Sequence, residues 1–229
     1  MPEELDIKSA KRADIVSHAA DVFALRGYHA TKMQDIATHA DVGKGTLYEY
    51  FRTKEDLFLA VYDSWMSAFE QAVQTRVDGA TDALAKVDAI RDSAVEFYQS
   101  RASKAPLLLE FWAHALRTDN PVFLARIRRT RTFLTALGAT LASQLIEAGW
   151  FSEVDVDAFA ELEAGISDGI FLSWVLGGMA FPLDKAYTFR QSVIGLGLLS
   201  PTARVLLAPR LVSKLQKGFN ATPATDSTS

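Results

Sequence analysis

The chain of 229 residues contains no cysteine. Disulfides and thiolate metal sites are therefore excluded, and nothing ties the protein to an oxidising compartment. Histidine is scarce, at four residues. The Glu-x-x-His pairs of di-iron helical bundles are missing, because three residues rather than two separate Glu110 from His114. There is no glycine-rich phosphate loop, no nucleophile elbow, no alternating strand pattern and no repeat. Long apolar runs are absent as well. The longest uncharged stretches, Thr132 to Ile146 and Gly169 to Leu183, are fifteen residues each, short of the roughly 20 that cross a bilayer. The opening MPEELD is acidic rather than basic-then-apolar, which argues against a secretory signal. These absences predict a cytoplasmic protein that is not an enzyme, with no metal and no cofactor.

Helical periodicity fills the chain. Lys8 to Arg26 places Ile15, Ala19, Val22 and Phe23 on one stripe and closes at Gly27. Thr31 and Gln34 have capping-box spacing, which predicts a short helix from Lys32 that ends at Asp41-Val42-Gly43. A second short helix follows from Lys44, with Leu47 and Phe51 on an anchoring face and Lys44 and Tyr48 on a neighbouring one. Thr53-x-x-Asp56 caps a longer helix that nothing breaks before Gly79. Beyond it, helices are expected over Thr81 to Arg101, Pro106 to Leu116, Asn120-Pro121 to Gly149, Asp155 or Asp157 to Gly177-Gly178, and Pro182 to Leu199. A short last helix from Ser200-Pro201 is expected to break or kink at Pro209. The polar tail 220–229 lacks periodicity and is expected to be disordered. The fold class is therefore all-α, with a small head, residues 1–53, and a larger helical domain, residues 54–219.

Net charge is -4, unevenly placed. Between Lys8 and Lys54 eight Lys/Arg face five Asp/Glu, so that span is +3 and the rest is -7. The basic end suits phosphate; the remainder does not. Solvated helix faces explain the same asymmetry more blandly.

The string Val42-Gly43-Lys44-Gly45-Thr46-Leu47-Tyr48-x-Tyr50-Phe51-x-x-Lys54-Glu55-x-Leu57, preceded by a helix of about twenty residues, resembles the N-terminal domain of TetR-family transcriptional regulators. The close match covers roughly residues 9 to 60. A reading helix needs donors, a surface for thymine methyls and close backbone approach. Lys44, Gly45, Thr46 and Tyr48 supply them. The resemblance implies further contacts, mostly to phosphate, at Thr31, Tyr50 and Lys54. Lys32 joins this set, and Lys8, Lys11 and Arg12 are candidates for backbone or minor-groove contact. Tyr48 and Tyr50 have packing between helices as their bland alternative. Gly43, where Ser or Thr is frequent in the family, and Glu49, an acid beside the reading face, depart from the pattern.

The resemblance also implies a C-terminal domain that dimerises and binds a small effector. Phe97, Tyr98, Phe111, Trp112, Phe171 and Trp174 are candidate lining aromatics, although core packing accounts for aromatics equally well. Glu110, His114 and Asp168 interrupt apolar faces, where a charge or imidazole needs a partner; Glu110 and His114, four apart, can pair with each other. The expected ligand set is Phe97, Phe111, Trp112, His114, Asp168, Phe171 and Trp174, suited to a lipophilic or cationic molecule. Arg126, Arg128, Arg129 and Arg131 form the densest basic cluster, either a solvated face or a seat for an anionic group such as acyl-CoA phosphates. The apolar residues of Asp157 to Leu199 (Ile166, Ile170, Phe171, Val175, Leu176, Val193, Ile194, Leu196 and Leu198 among them), with glycines between, predict a two-fold four-helix interface. The leading expectation is a homodimeric, ligand-responsive repressor on a palindromic operator. A helical DNA-binding protein without sequence preference or effector is the alternative.

Overall fold

A computed structural model describes residues 2–219, with side chains over 7–213, 215 and 216. The expected disordered tail, 220–229, lies outside the described residues. Ten α-helices occupy the described residues: α1 (Pro2–Arg26), α2 (Met33–His39), α3 (Lys44–Tyr50), α4 (Lys54–Asp78), α5 (Ala83–Gln99), α6 (Ala105–Ala115), α7 (Pro121–Glu147), α8 (Val156–Leu176), α9 (Leu183–Leu198) and α10 (Pro201–Phe219). A 3-10 turn, Ala102–Lys104, precedes α6. Among the described residues the only strand-like pairing is an isolated bridge between Phe151 and Leu199. The all-α expectation holds. No helix among the described residues is long and apolar enough to cross a membrane.

Most helix boundaries follow the local chemistry. Gly27 and Gly149 end α1 and α7 in the left-handed region, at φ +76° and +74°, which glycine enters without a Cβ clash. The Thr53 hydroxyl accepts from Asp56 N at 2.9 Å while Asp56 Oδ2 accepts from Thr53 N at 3.0 Å, a complete capping box for α4. Asn120 caps α7 through Val122 N at 3.1 Å, and Asp155 caps α8 through Asp157 N and Ala158 N.

Other helix ends depart from the sequence reading or add detail to it. α1 begins at Pro2 rather than Lys8, since proline at a helix start forfeits no hydrogen bond. The expected Thr31–Gln34 box does not form. Lys32 is the N-cap residue, and its N–H donates to Asp35 Oδ2 at 2.9 Å. Thr31 finds a nearer acceptor behind it, donating its hydroxyl to Gly27 O at 2.7 Å. In the turn before α3 the left-handed residue is Asp41, at φ +48°, whereas Gly43 is an extended N-cap at φ -63°. α10 runs as one helix of 19 residues through Pro209. It packs along α9, where Leu211 Cδ1 would meet a Cβ on Gly195 at 3.4 Å, and that support on the far side of the proline carries the helix onward.

Packing divides the chain into two compact units. The first comprises, among the described residues, 2–72 and 100–132. Its core centres on Phe58, fully buried and stacked on Phe111 at 3.9 Å between ring centres, with Tyr28 at 4.4 Å and Phe23 at 5.1 Å. Each such side chain contributes about 1.5–3 kcal/mol by burial. The second unit comprises, among the described residues, 73–99 and 133–219. There α9 packs against α5, α8 and α10, around the fully buried Phe171, Leu183 and Tyr187. Asp88, Arg91 and Gln191 tie α5 to α9: Gln191 donates to Asp88 Oδ1 at 2.7 Å and Arg91 donates to Gln191 Oε1 at 2.7 Å.

Candidate nucleic-acid interface

α2, the Asp41 turn and α3 form a helix-turn-helix in which α2 packs on α1 and on α3. Val42 N donates to Ala37 O at 3.0 Å and closes the turn. Leu47 and Phe51, fully or almost fully buried, anchor α3 to the first unit's core. The 3.6-residue period then turns Lys44, Gly45, Tyr48 and Glu49 outward. Tyr48 is 43% exposed, a large ring left in solvent. A Cβ at Gly45 would meet nothing within 4 Å, so nothing inside the protein demands glycine there. The Lys44 ammonium lies 5.9 Å from the centre of the Tyr48 ring, so cation and aromatic surface are offered together. Thr46 and Tyr50 are half-buried at the flanks. Lys8, Arg12 and Lys32 are exposed, and Arg12 stacks its guanidinium 4.8 Å over the Phe51 ring at the end of α3.

Two of the expected contact residues turn their side chains inward. Thr31 is 1% exposed, its hydroxyl spent on Gly27 O. Lys54 directs its ammonium inward: Nζ donates to Tyr28 O at 2.6 Å, Thr31 O at 2.9 Å and His29 O at 3.2 Å, and lies 4.4 Å from the Tyr28 ring centre. Three donors meet three carbonyls, which leaves none for a phosphate. Burial lowers the Lys54 pKa, and the Glu110 carboxylate opposes that shift.

Glu110 completes this clamp. It does not pair with His114, as their spacing suggested; its Oε1 accepts from Tyr28 N at 2.8 Å, so α6 holds the turn that leads to α2. His114 instead meets Glu55 at 3.0 Å. Thr118 and Asn120 donate to the same carboxylate at 3.0 and 3.3 Å. Burial raises the Glu55 pKa, but these hydrogen bonds and His114 outweigh it and leave the carboxyl below its ordinary range. Both carboxylate networks join residues more than fifty positions apart. Removing Glu110 as alanine should strand the Tyr28 N–H and cost about 1–3 kcal/mol. Glu110→Gln, which keeps an acceptor, should recover most of it, as read by urea denaturation midpoints.

The seven expected ligand residues fall into both units. In the first, Phe111 and His114 surround Phe58, with Phe123 4.7 Å from His114, while Trp112 is half-buried. In the second, Phe97, Phe171 and Trp174 are buried and Asp168 is half-buried, with Tyr98 stacked on Phe171 at 4.4 Å. Sequence reasoning missed their polar neighbours. Tyr187 shares a hydrogen bond with Ser167 at 2.8 Å, and Arg190 sits 4.9 Å over the Tyr187 ring and 3.4 Å from Glu163. Burial raises the Glu163 carboxyl above its ordinary range, and Arg190 offsets only part of that rise. Of the arginine cluster, Arg126 and Arg129 already face Asp63 and Glu70, at 3.5 and 3.4 Å, across a small recess. Arg128 is exposed.

Comparison with known proteins agrees with this geometry. Residues 15–61 match the sequence model of bacterial regulatory proteins of the tetR family, and residues 83–194 match that of the C-terminal part of BetI-type transcriptional repressors. The chain is 37% identical over 89 residues to the transcriptional activator FasR of Mycolicibacterium smegmatis, a match covering 37% of this chain and 41% of that protein. It is 23% identical to the transcriptional repressor KstR2 of Rhodococcus jostii over 85% of this chain and 94% of the relative. Among solved structures, a TetR transcription regulator from Haloarcula marismortui superposes with a TM-score of 0.76 at 21% identity, over 84% of this chain and all of that one (100%). FadR of Bacillus subtilis, solved in complex with stearoyl-CoA, superposes with a TM-score of 0.66 at 20% identity, over 90% and 98% of the two chains. At these identities the structural likeness shows the fold.

Proposed function

Since the chain belongs to the TetR family of bacterial transcriptional regulators, we propose that it acts as a homodimeric, cytoplasmic repressor that leaves a palindromic operator when a small lipophilic or cationic effector binds. The observation that carries this reading is the outward face of α3, where Lys44, Gly45 and Tyr48 project from a helix whose Leu47 is fully buried. A short anchored helix with an exposed donor, an exposed ring and a bare backbone position has what major-groove reading requires. Residues 1–53 are the reading head in this proposal, and residues 54–219 sense and dimerise. Lys44, Gly45, Thr46 and Tyr48 meet bases or the nearest phosphates; Lys8, Arg12, Lys32 and Tyr50 meet the backbone on either side. Thr31 and Lys54 shape the head from within.

A continuous exposed stripe supports dimerisation. On α8, Leu162, Gly165, Gly169, Leu172 and Leu176 recur at helical spacing; the three leucines are 57%, 41% and 75% exposed. On α9, Phe189, Val193 and Gly197 do the same. A Cβ on Gly165, Gly169 or Gly197 would meet nothing in the chain, which leaves room for a second copy's helices to approach closely. Phe171, expected at that interface, is instead fully buried within its own chain. The lipophilic effector class is supported by the stearoyl-CoA complex of the Bacillus subtilis relative and by the aromatic surroundings of the expected ligand residues.

The deciding experiment is selection of bound duplexes from a random-sequence pool with the full-length protein. A two-fold symmetric site, with half-sites a helical turn or a multiple of it apart, is the expected product. Recovery of no common sequence, with salt-dependent affinity equal on all duplexes, would establish the non-specific reading instead. Gly45→Ala sharpens the test. Alanine is favoured over glycine in a helix interior by about 0.8–1 kcal/mol and finds open space here, so the variant should melt slightly higher yet bind the selected site at least about tenfold more weakly, where the added methyl blocks close approach.

A further inference from the structure

α1 carries Asp14, His18 and Asp21, spaced four and three apart and hence on one face, and α2 ends on His39. Packing of α1 on α2 brings the two imidazoles edge to face, with ring centres 5.3 Å apart and planes at 78°. One ligand-capable atom each from His18, Asp21 and His39 lies within 4.8 Å of the others. Ligand atoms around one tetrahedral zinc, with bonds of about 2.0–2.2 Å, stand roughly 3.3 Å apart. Side-chain rotation can close that gap, since His18 and Asp21 are half-buried and His39 is exposed. Two imidazole nitrogens and a carboxylate oxygen are a donor set for zinc, copper or nickel rather than for magnesium or calcium. Asp14 Oδ1 stands 3.4 Å from His18 Nε2, the relation by which a carboxylate orients a ligating ring through its other nitrogen.

We propose that His18, Asp21 and His39 bind a divalent transition-metal ion of the zinc, copper and nickel class that pins the end of α2 to α1. The sequence reading expected no metal, because it sought cysteines and the three ligands come together only through packing. Two cations compete locally. Lys104 Nζ lies 2.6 Å from Asp21 Oδ1, and Lys11 Nζ lies 3.2 Å from Asp14 Oδ2. Both pairs are partly exposed, so solvent screens them and an ion bonded to two nitrogens can displace them. The Lys104 contact also leaves the second Asp21 oxygen for the metal. The site is independent of the DNA-binding reading.

Titration of the full-length protein with zinc chloride tests the proposal, read as metal retained after dialysis and as melting temperature. The wild type should retain one zinc per chain and melt about 5 °C higher at saturating metal. Magnesium should give no shift, and His18→Ala with His39→Ala should lose both zinc effects. Equal zinc retention by wild type and double variant, or no melting shift of the wild type at 100-fold excess, would overturn it. Should the double variant fail to melt cooperatively, His39→Gln at the exposed position makes the same comparison. X-ray absorption at the zinc edge must then show two imidazole ligands in the wild type; none or one refutes the site.

Discussion

Tyr48→Ala should abolish sequence-specific binding to the duplex recovered by selection while leaving the fold and the dimer intact. The ring is 43% exposed, and exposed substitutions usually change stability by no more than about 0.5 kcal/mol, so the melting temperature should move by about 1–2 °C at most. What the variant would lose is the proposed apolar contact with a thymine methyl, and losing the readout of one base pair costs about 1–3 kcal/mol at a single head. With two heads on one site the losses compound, and specific affinity should drop at least about 100-fold. No charge is removed, so the slope of log affinity against log salt on random duplex should stay as it was. Tyr48→Phe, which keeps the face of the ring, should retain most of the affinity. Fluorescence anisotropy on specific and scrambled duplexes reads all three quantities. If Tyr48→Ala binds the selected site like the wild type, α3 does not read bases through this face; if it instead melts many degrees lower, the tyrosine is a packing residue.

The exposed face of α3 was legible in the sequence because it depends on local periodicity alone. Once Leu47 and Phe51 are assigned inward, the helical period turns Lys44 and Tyr48 outward whatever the rest of the chain does. The helix ends at Gly27 and Gly149 and the caps at Thr53, Asn120 and Asp155 were legible for the same reason, since each is settled within a few residues. What the sequence could not convey is where a polar side chain aims when several partners compete. Thr31 stands at capping-box distance from Gln34, yet its hydroxyl reaches a carbonyl four residues back. Glu110 and His114 stand at pairing distance on one helix, yet each finds a partner more than fifty residues away, in Tyr28 and Glu55. In the second case the pairing along one helix yields to partners that the tertiary fold delivers part-buried, where a hydrogen bond carries more weight. The same limit hid the His18, Asp21 and His39 cluster, whose third member comes from a second helix.

Lys54 is the residue at which family resemblance and structure lead to different experiments. A phosphate-contacting lysine, once removed, should weaken binding on every sequence and lower the salt slope by about 0.9 for each head. The geometry predicts otherwise for Lys54→Met. The ammonium joins the carbonyls of Tyr28, His29 and Thr31, and with Glu110 on the Tyr28 N–H it fixes the segment between α1 and α2 on both sides. Methionine keeps the aliphatic stem and removes every donor. Hydrogen bonds from a charged donor contribute about 1.5–3 kcal/mol each, but the His29 carbonyl belongs to an exposed residue and can turn to water, so the sum is well below three full bonds. A loss of about 2–4 kcal/mol follows, large enough to lower the melting temperature by roughly 5–10 °C. Affinity for the selected duplex should fall with it, because α2 and α3 are no longer held in register with α1. The salt slope, however, should equal that of the wild type, whereas Lys44→Ala should lower the slope and leave stability unchanged. A slope reduced by about 0.9 per head in Lys54→Met, with the wild-type melting temperature, would place the lysine on the phosphates and remove it from the clamp.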